Sequence, residues 1–329
     1  MKHFEIYKDQ TILITGGAGA IGSNLSRKLA ETGAAKVIIL DDLSASYKWN
    51  IPNLPNVLFV KGSITNDVDL KRVFHDKPSY IFHLAAFFAN QNSVDYPQKD
   101  LLVNGMGTLK LLQHAVDVGV KRFVYTSSSC VYGNADGESP LSESIKEYSL
   151  DTPYAVTKLL GEQYVQFFHE HHALPTVVLR LFNSYGPGEY PGKYRNVIPN
   201  FFYRALTDKA LTITGTGDET RDFTFVSDTV AALLLAMGKE EAVGGVFNVG
   251  SGQQMAIREL AEKVQSVCDV KRPLEYQSRR AWDSVNRRCA DITRARTVLG
   301  YEPTISLEQG LRLTHRWFRD RGIVNRPIR

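Results

Sequence analysis

Eight residues near the start of the chain, TGGAGAIG, constrain its fold more than any other segment. An apolar run, Thr11–Thr15, precedes these glycines and predicts a β-strand, while residues 20–32 predict a helix that ends at a further glycine. Between them, Gly16, Gly19 and Gly22 permit a tight turn and a close approach of the backbone to a pyrophosphate at the helix N-terminus. We interpret the segment as a dinucleotide-binding turn.

The second predicted strand, residues 36–40, ends at two acids, Asp41 and Asp42. Asp41 follows the glycine turn by roughly twenty residues, where a carboxylate accepts hydrogen bonds from the adenosine ribose. Because a carboxylate would repel a 2′-phosphate, the sequence favours NAD over NADP as the cofactor.

Short β-rich runs alternate with helical patterns over the first half of the chain, which indicates βαβ units. The expected fold class is α/β, a Rossmann-type doubly wound parallel sheet with a smaller C-terminal α/β lobe. We place the NAD-binding domain at residues 1–180 with a returning segment at about 222–249. Residues 181–221 and 250–329 form the predicted substrate-binding lobe.

Composition narrows the classes of partner. The net charge of +4 is small for 329 residues, and no basic block suggests nucleic acid as a ligand. Three cysteines, Cys130, Cys268 and Cys289, are too scattered for a disulfide framework or a zinc site, so we expect no metal. Since no apolar run is long enough to span a bilayer, we expect a cytoplasmic protein without membrane association.

Tyr154 and Lys158 form a second chemical feature. Pro153 can begin a helix, which would place these two side chains one turn apart on one face. A phenol has an ordinary pKa of about 10. A neighbouring ammonium and a positive nicotinamide would lower that pKa by favouring the phenolate. The pair is therefore predicted to be a general base that takes a hydroxyl proton while hydride leaves the carbon.

Six motifs occur in an order that resembles the extended short-chain dehydrogenase/reductase family, in its nucleotide-sugar epimerase and dehydratase branch. They are TGGAGAIG, HLAA at 83–86, SSSCVYG at 127–133, YAVTK at 154–158, RLFNSYGPG at 180–188 and RDFTFV at 221–226. The resemblance implies that Tyr154 is the base, that Lys158 holds the nicotinamide ribose, and that Ser128 bonds the reacting hydroxyl. The NAD-binding positions it implies are Gly16, Gly19, Ala20, Ile21, Gly22, Asp41, Ser63, Ile64, Leu84, Ala85, Ala86, Tyr154 and Lys158.

Two positions depart from the family's usual pattern. Ala20 stands where a bulky aromatic residue is usual, and Ser63 replaces an aspartate that would accept from the adenine amino group. We expect weaker or re-routed adenine recognition at Ser63. His83, in HLAA, is interpreted as a structural residue at a strand end.

The resemblance also implies where a nucleotide sugar binds. Asn183 would contact the sugar phosphate, and Asn196, Arg221 and one of Arg287 and Arg288 would contact the diphosphate, since a planar guanidinium bonds phosphate bidentately. LTITGTG at 211–217 resembles a segment that contacts uracil or thymine. A UDP-sugar is therefore favoured as the substrate, with a GDP-sugar as the alternative.

The residues after Ser128 bear on the reaction. The family's 4,6-dehydratases carry Asp-Glu there and its decarboxylases usually a Glu, whereas this chain has Ser129 and Cys130. The leading hypothesis is a UDP-sugar 4-epimerase that acts through a transient 4-keto sugar. Cys130 leaves open a C3/C5 epimerase, in which a thiol moves a proton next to the ketone. Dehydratase, decarboxylase or reductase activity, and a non-catalytic NAD-binding regulatory protein, are further alternatives.

Two predicted helices, near 100–118 and 154–172, carry apolar stripes. In the family these faces pair across a two-fold axis, so we expect a homodimer.

Overall fold

Strands and helices alternate along the chain in the computed structural model, which describes residues 2–135, 139–146 and 148–326. Met1 and residues 327–329, the ends of the two predicted domain ranges, lie outside the described residues. The strands are β1 (Thr11–Thr15), β2 (Lys36–Asp41), β3 (Val57–Lys61), β4 (Tyr80–His83), β5 (Arg122–Ser128), β6 (Thr176–Leu181), β7 (Asn183–Tyr185), β8 (Leu211–Thr214), β9 (Thr220–Arg221), β10 (Phe223–Phe225), β11 (Val246–Val249), β12 (Met255–Ala256), β13 (Leu274–Gln277) and β14 (Arg287–Arg288). The helices are α1 (Ala20–Glu31), α2 (Asp67–Phe74), α3 (Asn90–Asp95), α4 (Pro97–Asp100), α5 (Thr108–Asp117), α6 (Pro153–His172), α7 (Val197–Leu206), α8 (Val226–Gly238), α9 (Ile257–Cys268) and α10 (Leu307–Asp320).

In the described part of the chain, seven parallel strands form the central sheet in the order β11-β6-β5-β4-β1-β2-β3. After β3 the chain returns to the other side of β1, so the strand order reverses between β1 and β4. Strands that are buried on both faces read as apolar runs, as β1 and β2 do. The predicted doubly wound sheet is confirmed, and its switch point is where such folds bind ligands.

Helices cover both faces of this sheet. On one face, Leu25 and Leu29 of α1 and Leu233 of α8 belong to one buried apolar cluster. On the other, Leu70 of α2, Leu111 of α5 and Val165 of α6 belong to another.

The remaining elements build the C-terminal lobe. Strand β8 pairs with β13, and β9 lies between β12 and β14. Helices α7, α9 and α10 enclose a third core, which includes Phe201, Phe202, Leu260, Leu311 and Phe318. Within the described ranges, no helix is long and apolar enough to cross a membrane.

The segment predicted as one helix near 100–118 is less regular than expected. A π-helical stretch, Leu101–Gly107, separates α4 from α5. Asn104, within this stretch, is buried. Its Oδ1 accepts a hydrogen bond from the backbone N–H of Phe87 at 2.8 Å, and its Nδ2 donates one to the Asp100 carboxylate at 2.8 Å. The irregular turn thus directs a polar side chain into the interior, a common function of π-bulges.

A buried ion pair attaches α6 to the sheet. Arg180 of β6 bonds Glu162 of α6 in a forked arrangement, with Nη2 at 2.8 Å and Nε at 3.0 Å from the carboxylate oxygens. The two side chains are only 4% and 5% exposed, so the loss of one charge would leave the other uncompensated in the interior.

We predict that Glu162→Gln lowers the free energy of unfolding by roughly 3–5 kcal/mol, measured by urea denaturation. The control is Glu308→Gln, which removes the same charge from an exposed i,i+4 pair with Arg312 and should change little. Equal effects of the two substitutions would contradict this account of the buried pair.

Candidate active site

A cavity of about 440 Å³ lies at the carboxyl ends of the parallel strands, next to the C-terminal lobe. All but one of the predicted site residues line it: Gly16, Gly19, Ala20, Ile21, Gly22, Asp41, Ser63, Ile64, Leu84, Ala85, Ala86, Ser128, Cys130, Tyr154, Lys158, Asn183, Asn196, Arg221 and Arg288. Arg287 is exposed and lies outside this lining, because neighbouring residues of strand β14 point to opposite sides. Of the two arginines that the sequence left open, Arg288 is therefore the one that faces the cavity.

The glycine turn brings β1, β4 and α1 into backbone contact. A Cβ on Gly22 would lie 2.4 Å from the Gly16 carbonyl oxygen, and one on Gly16 would lie 2.7 Å from the Ala85 nitrogen. Among the described residues, α1 has no side-chain cap at Gly19 and no acid in its first turn. Its first N–H groups are therefore available to an anionic ligand, which fits the pyrophosphate of NAD.

Asp41 is held firmly at the end of β2. Its carboxylate accepts from the backbone N–H of Ala18 at 3.0 Å, from that of Leu43 at 2.9 Å and from the Ser46 hydroxyl at 2.7 Å. Burial raises the pKa of Asp41, and these three hydrogen bonds oppose that shift. Asp42 is exposed and also lines the cavity, so the ribose end of the cavity carries two adjacent carboxylates.

Tyr154 and Lys158 lie in the first two turns of α6, as the sequence predicts. Pro153 occupies the start of the helix, and the Thr152 side chain caps it by accepting from Ala155 N–H. Both side chains are buried, and the Lys158 ammonium lies 4.4 Å from the centre of the Tyr125 ring.

Burial governs the protonation of this pair. It raises the pKa of Tyr154 well above the ordinary value, helped by Cys130 and Asp100, while a hydrogen bond with Ser128 opposes the shift. Burial lowers the pKa of Lys158 to about 8, against the opposing effect of Glu162. The expected net lowering of the Tyr154 pKa is therefore wrong for the protein alone, because the cost of desolvating a buried phenolate dominates.

Cys130 faces two hydrogen-bond donors. The Asn90 side-chain nitrogen lies 3.4 Å from its sulfur, and Nη1 of Arg288 lies at 3.8 Å. Asn90 also accepts from the Thr152 hydroxyl at 3.0 Å, which connects the cysteine to the start of α6. The sulfur thus lies in a polar setting where Asn90, Arg288 and the start of α6 meet.

Two arginines lie side by side on paired strands. Arg221 of β9 is opposite Arg288 of β14, and both line the cavity. Burial and the neighbouring Arg288 lower the pKa of Arg221 to about 10, so it stays charged near neutral pH. Asp283, whose carboxylate is 3.6 Å from Arg221, also lines the cavity together with Trp282. This paired positive charge can bind a diphosphate.

The two predicted asparagines are oriented by protein contacts. Asn183 donates to the Asp222 carbonyl oxygen at 2.9 Å, and Asn196 donates to Glu189 at 2.8 Å. Asn196, which lines the cavity, is also the residue before α7. The LTITGTG segment forms β8 and the turn after it, and it does not contribute to the described lining.

His83 is structural, as interpreted from the sequence. Its two ring nitrogens lie 2.8 Å from the Thr15 hydroxyl and 2.9 Å from the Thr108 hydroxyl. Burial lowers its pKa to about 3, which keeps the ring neutral. At Ser63, one of the two departures from the family pattern, the side-chain hydroxyl pairs with that of Thr65 at 2.9 Å.

Sequence reasoning missed Trp282, Asp283 and Asp151, which line the cavity from loops. These loop residues carry no periodic or motif signal, although Asp283 lies within a charged stretch, SRRAWDSVNRR. Among the residues that the structure describes, no group of three or more His, Cys, Asp or Glu side chains could hold a metal ion.

The fold and cavity together are those of a dinucleotide-binding α/β enzyme class, with a buried Tyr–Lys pair and two arginines lining the same cavity. The chain belongs to the NAD-dependent epimerase/dehydratase family, whose model matches residues 12–250. NAD is the cofactor of this family, and the glycine turn and paired acids fit it.

Known proteins are similar over nearly the whole chain. A UDP-glucose 4-epimerase of Mycolicibacterium smegmatis is 35% identical, with 94% of this chain and 99% of that protein covered. A UDP-N-acetyl-α-D-glucosaminuronate decarboxylase of Bacillus cytotoxicus is 32% identical, with 94% and 97% covered. The solved structure of an epimerase from Methanothermobacter thermautotrophicus is 52% identical with a TM-score of 0.96, covering 98% of this chain and 96% of that one.

Proposed function

We propose that this protein is an NAD-dependent UDP-sugar 4-epimerase. The observation that carries the proposal is the placement of Tyr154, Lys158 and Ser128 in one cavity with the Arg221–Arg288 pair. The base and the diphosphate-binding charges can thereby act on one nucleotide sugar. Both curated relatives described above have names that specify UDP-sugars, which supports UDP as the nucleotide.

In this mechanism Tyr154 removes the proton of the C4 hydroxyl, and Ser128 holds that oxygen by a hydrogen bond. The chemistry that NAD would supply, when bound, is reversible hydride exchange with C4. Lys158 orients the cofactor ribose and stabilises the phenolate through its positive charge. Arg221 and Arg288 would hold the diphosphate while the 4-keto sugar turns within the cavity and presents its opposite face for reduction. Tyr154 finally gives its proton back to the oxygen, so there is no net redox change.

The residues beside Ser128 disfavour dehydration and decarboxylation. Ser129 is buried, and Cys130 carries the only ionisable group of these two, so the acid–base pair required to expel the C6 hydroxyl is missing at these positions. Because one relative is a decarboxylase, decarboxylation is also to be tested, with a panel of nucleotide sugars as substrates.

We expect Tyr154→Phe to reduce kcat for 4-epimerisation roughly 10²–10⁴-fold, since a general base is lost, while NAD remains bound. Tyr7→Phe is the control, because it removes a buried hydroxyl that donates to Leu234 away from the cavity. Product stereochemistry and NAD content are the measurements. A Tyr154→Phe enzyme as active as the parent would contradict the mechanism and favour a non-catalytic NAD-binding protein.

A second candidate, a C3/C5 epimerase of a UDP- or GDP-sugar, is favoured by the surroundings of Cys130. The Cys130 sulfur, positioned by contacts with Asn90 and Arg288, would remove the proton next to the 4-ketone. This reaction exchanges a carbon-bound proton with solvent, whereas hydride return alone exchanges none.

We therefore predict that turnover in deuterated water leaves the product free of carbon-bound deuterium, as mass spectrometry will show. Cys130→Ala should keep 4-epimerase activity under the leading proposal, with Cys268→Ala of helix α9 as the matched control. If the parent and Cys268→Ala incorporate deuterium but Cys130→Ala does not, the C3/C5 epimerase replaces the leading proposal.

We also propose that the protein is a homodimer. Large apolar side chains are exposed on the π-helical stretch and on α6, which pack against each other: Leu101, Leu102, Met106, Val156 and Phe167. Such a concentration of exposed apolar surface is typical of an interface.

Light scattering should give a mass of twice the 36.8 kDa chain for the parent protein. Leu102→Glu should shift the mass to a single chain, because a charge would be buried at the interface. Leu58→Glu, at another exposed leucine on β3, should remain dimeric. A single-chain mass for the parent would refute the dimer.

A further inference from the structure

Residues 187–196, which connect β7 to α7, lie against the glycine turn; we call this segment the strap. Asn24 of α1 donates to the Pro187 carbonyl oxygen at 2.8 Å. Asn50 donates to the Gly188 carbonyl oxygen at 3.0 Å, and also to that of Ala18 in the glycine turn at 3.1 Å. The strap is therefore fastened to the part of the fold that would hold the NAD pyrophosphate.

The fit at Gly188 is close. A Cβ on this residue would lie 3.2 Å from the Ala20 Cα and 3.3 Å from its carbonyl oxygen. Ala20 is the first residue of α1, so the strap lies directly against the backbone at the helix N-terminus.

A third attachment comes from Arg195, near the other end of the strap. Its Nη2 donates to the Ala45 carbonyl oxygen, in the loop that follows β2. Arg195 lines the cavity together with Ser44, Ala45 and Ser46, close to the predicted ribose-binding Asp41. Since an arginine has five N–H donors, one bond to Ala45 leaves others for a ligand.

Glu189, a residue of the strap, independently indicates that a ligand binds next to this segment. The residue lines the cavity and is only 7% exposed. One carboxyl oxygen accepts from Asn196, but the other, Oε2, is buried and has no hydrogen-bond partner among the described residues. A buried polar atom of this kind normally finds a partner, and a ligand can supply it.

We propose that the strap closes over bound NAD and that Arg195 binds the ribose–phosphate part of the cofactor. The pyrophosphate carries negative charge that the first N–H groups of α1 offset only in part. A guanidinium bridging that charge and the Ala45 carbonyl joins the strap to the cofactor by a charge-assisted hydrogen bond. NAD then leaves only when the strap opens, so the same molecule serves successive turnovers.

The test measures NAD retention and does not depend on which sugar is the substrate. We expect NAD to dissociate from Arg195→Ala about ten- to a hundred-fold faster than from the parent protein, since a hydrogen bond to a charged group is lost. The purified protein is loaded with NAD and gel-filtered, and NAD per chain is followed over time after denaturation of aliquots.

Two variants make the result specific. Lys193→Ala removes the same charge from the same strap, but this side chain is 71% exposed and pairs with Asp95, so NAD retention should stay at the parental value. Arg195→Lys keeps the charge without the planar fork and should be intermediate. Unfolding midpoints without NAD verify that each variant is folded.

Equal NAD release from Arg195→Ala and the parent would overturn the proposal. Equal acceleration in Lys193→Ala would also overturn it, because the effect would then reflect general charge rather than a contact at Arg195. Neither result would affect the proposed epimerase reaction, which is measured separately with saturating NAD.

Discussion

The site depends on a contact between backbone atoms, where the start of α1 meets the glycine turn. Gly22 lies so close to the Gly16 carbonyl oxygen that any Cβ would overlap backbone atoms, and Gly16 is similarly close to Ala85 after β4. This contact seats the first N–H groups of the helix at the switch point of the sheet, where the strand order reverses. Asp41 accepts from the N–H of Ala18 in this turn, and Asn50 joins Ala18 to the strap, so the acid and the strap are both tied to it.

Burial then determines the protonation of the two side chains proposed to act on the sugar hydroxyl and the cofactor. Tyr154 and Lys158 are shielded from water, so the phenol is held protonated and the ammonium has a lowered pKa in the protein alone. A positive charge close to the phenol is needed to offset that desolvation, and oxidised NAD carries one. The base is therefore expected to become available when the cofactor is present in its oxidised form.

Much of this architecture could be predicted from the sequence because its signals are local. The apolar strands, the glycines between β1 and α1, and the one-turn spacing of Tyr154 and Lys158 need only a few consecutive residues to be recognised. The choice between Arg287 and Arg288 could not be made in this way. It depends on how β14 pairs with β9, and that pairing joins distant parts of the chain.

The same distinction applies to the whole site. The fold class, the family, NAD as cofactor and the Tyr–Lys pair could be predicted from the order of residues, because each is encoded by neighbouring residues whose spacing follows strand and helix geometry. The contact of Arg195 with Ala45, the placement of Asn90 and Arg288 beside Cys130, and the raised pKa of buried Tyr154 are seen only in the folded chain. Those features arise from long-range packing and desolvation, which have no counterpart in the local order of residues.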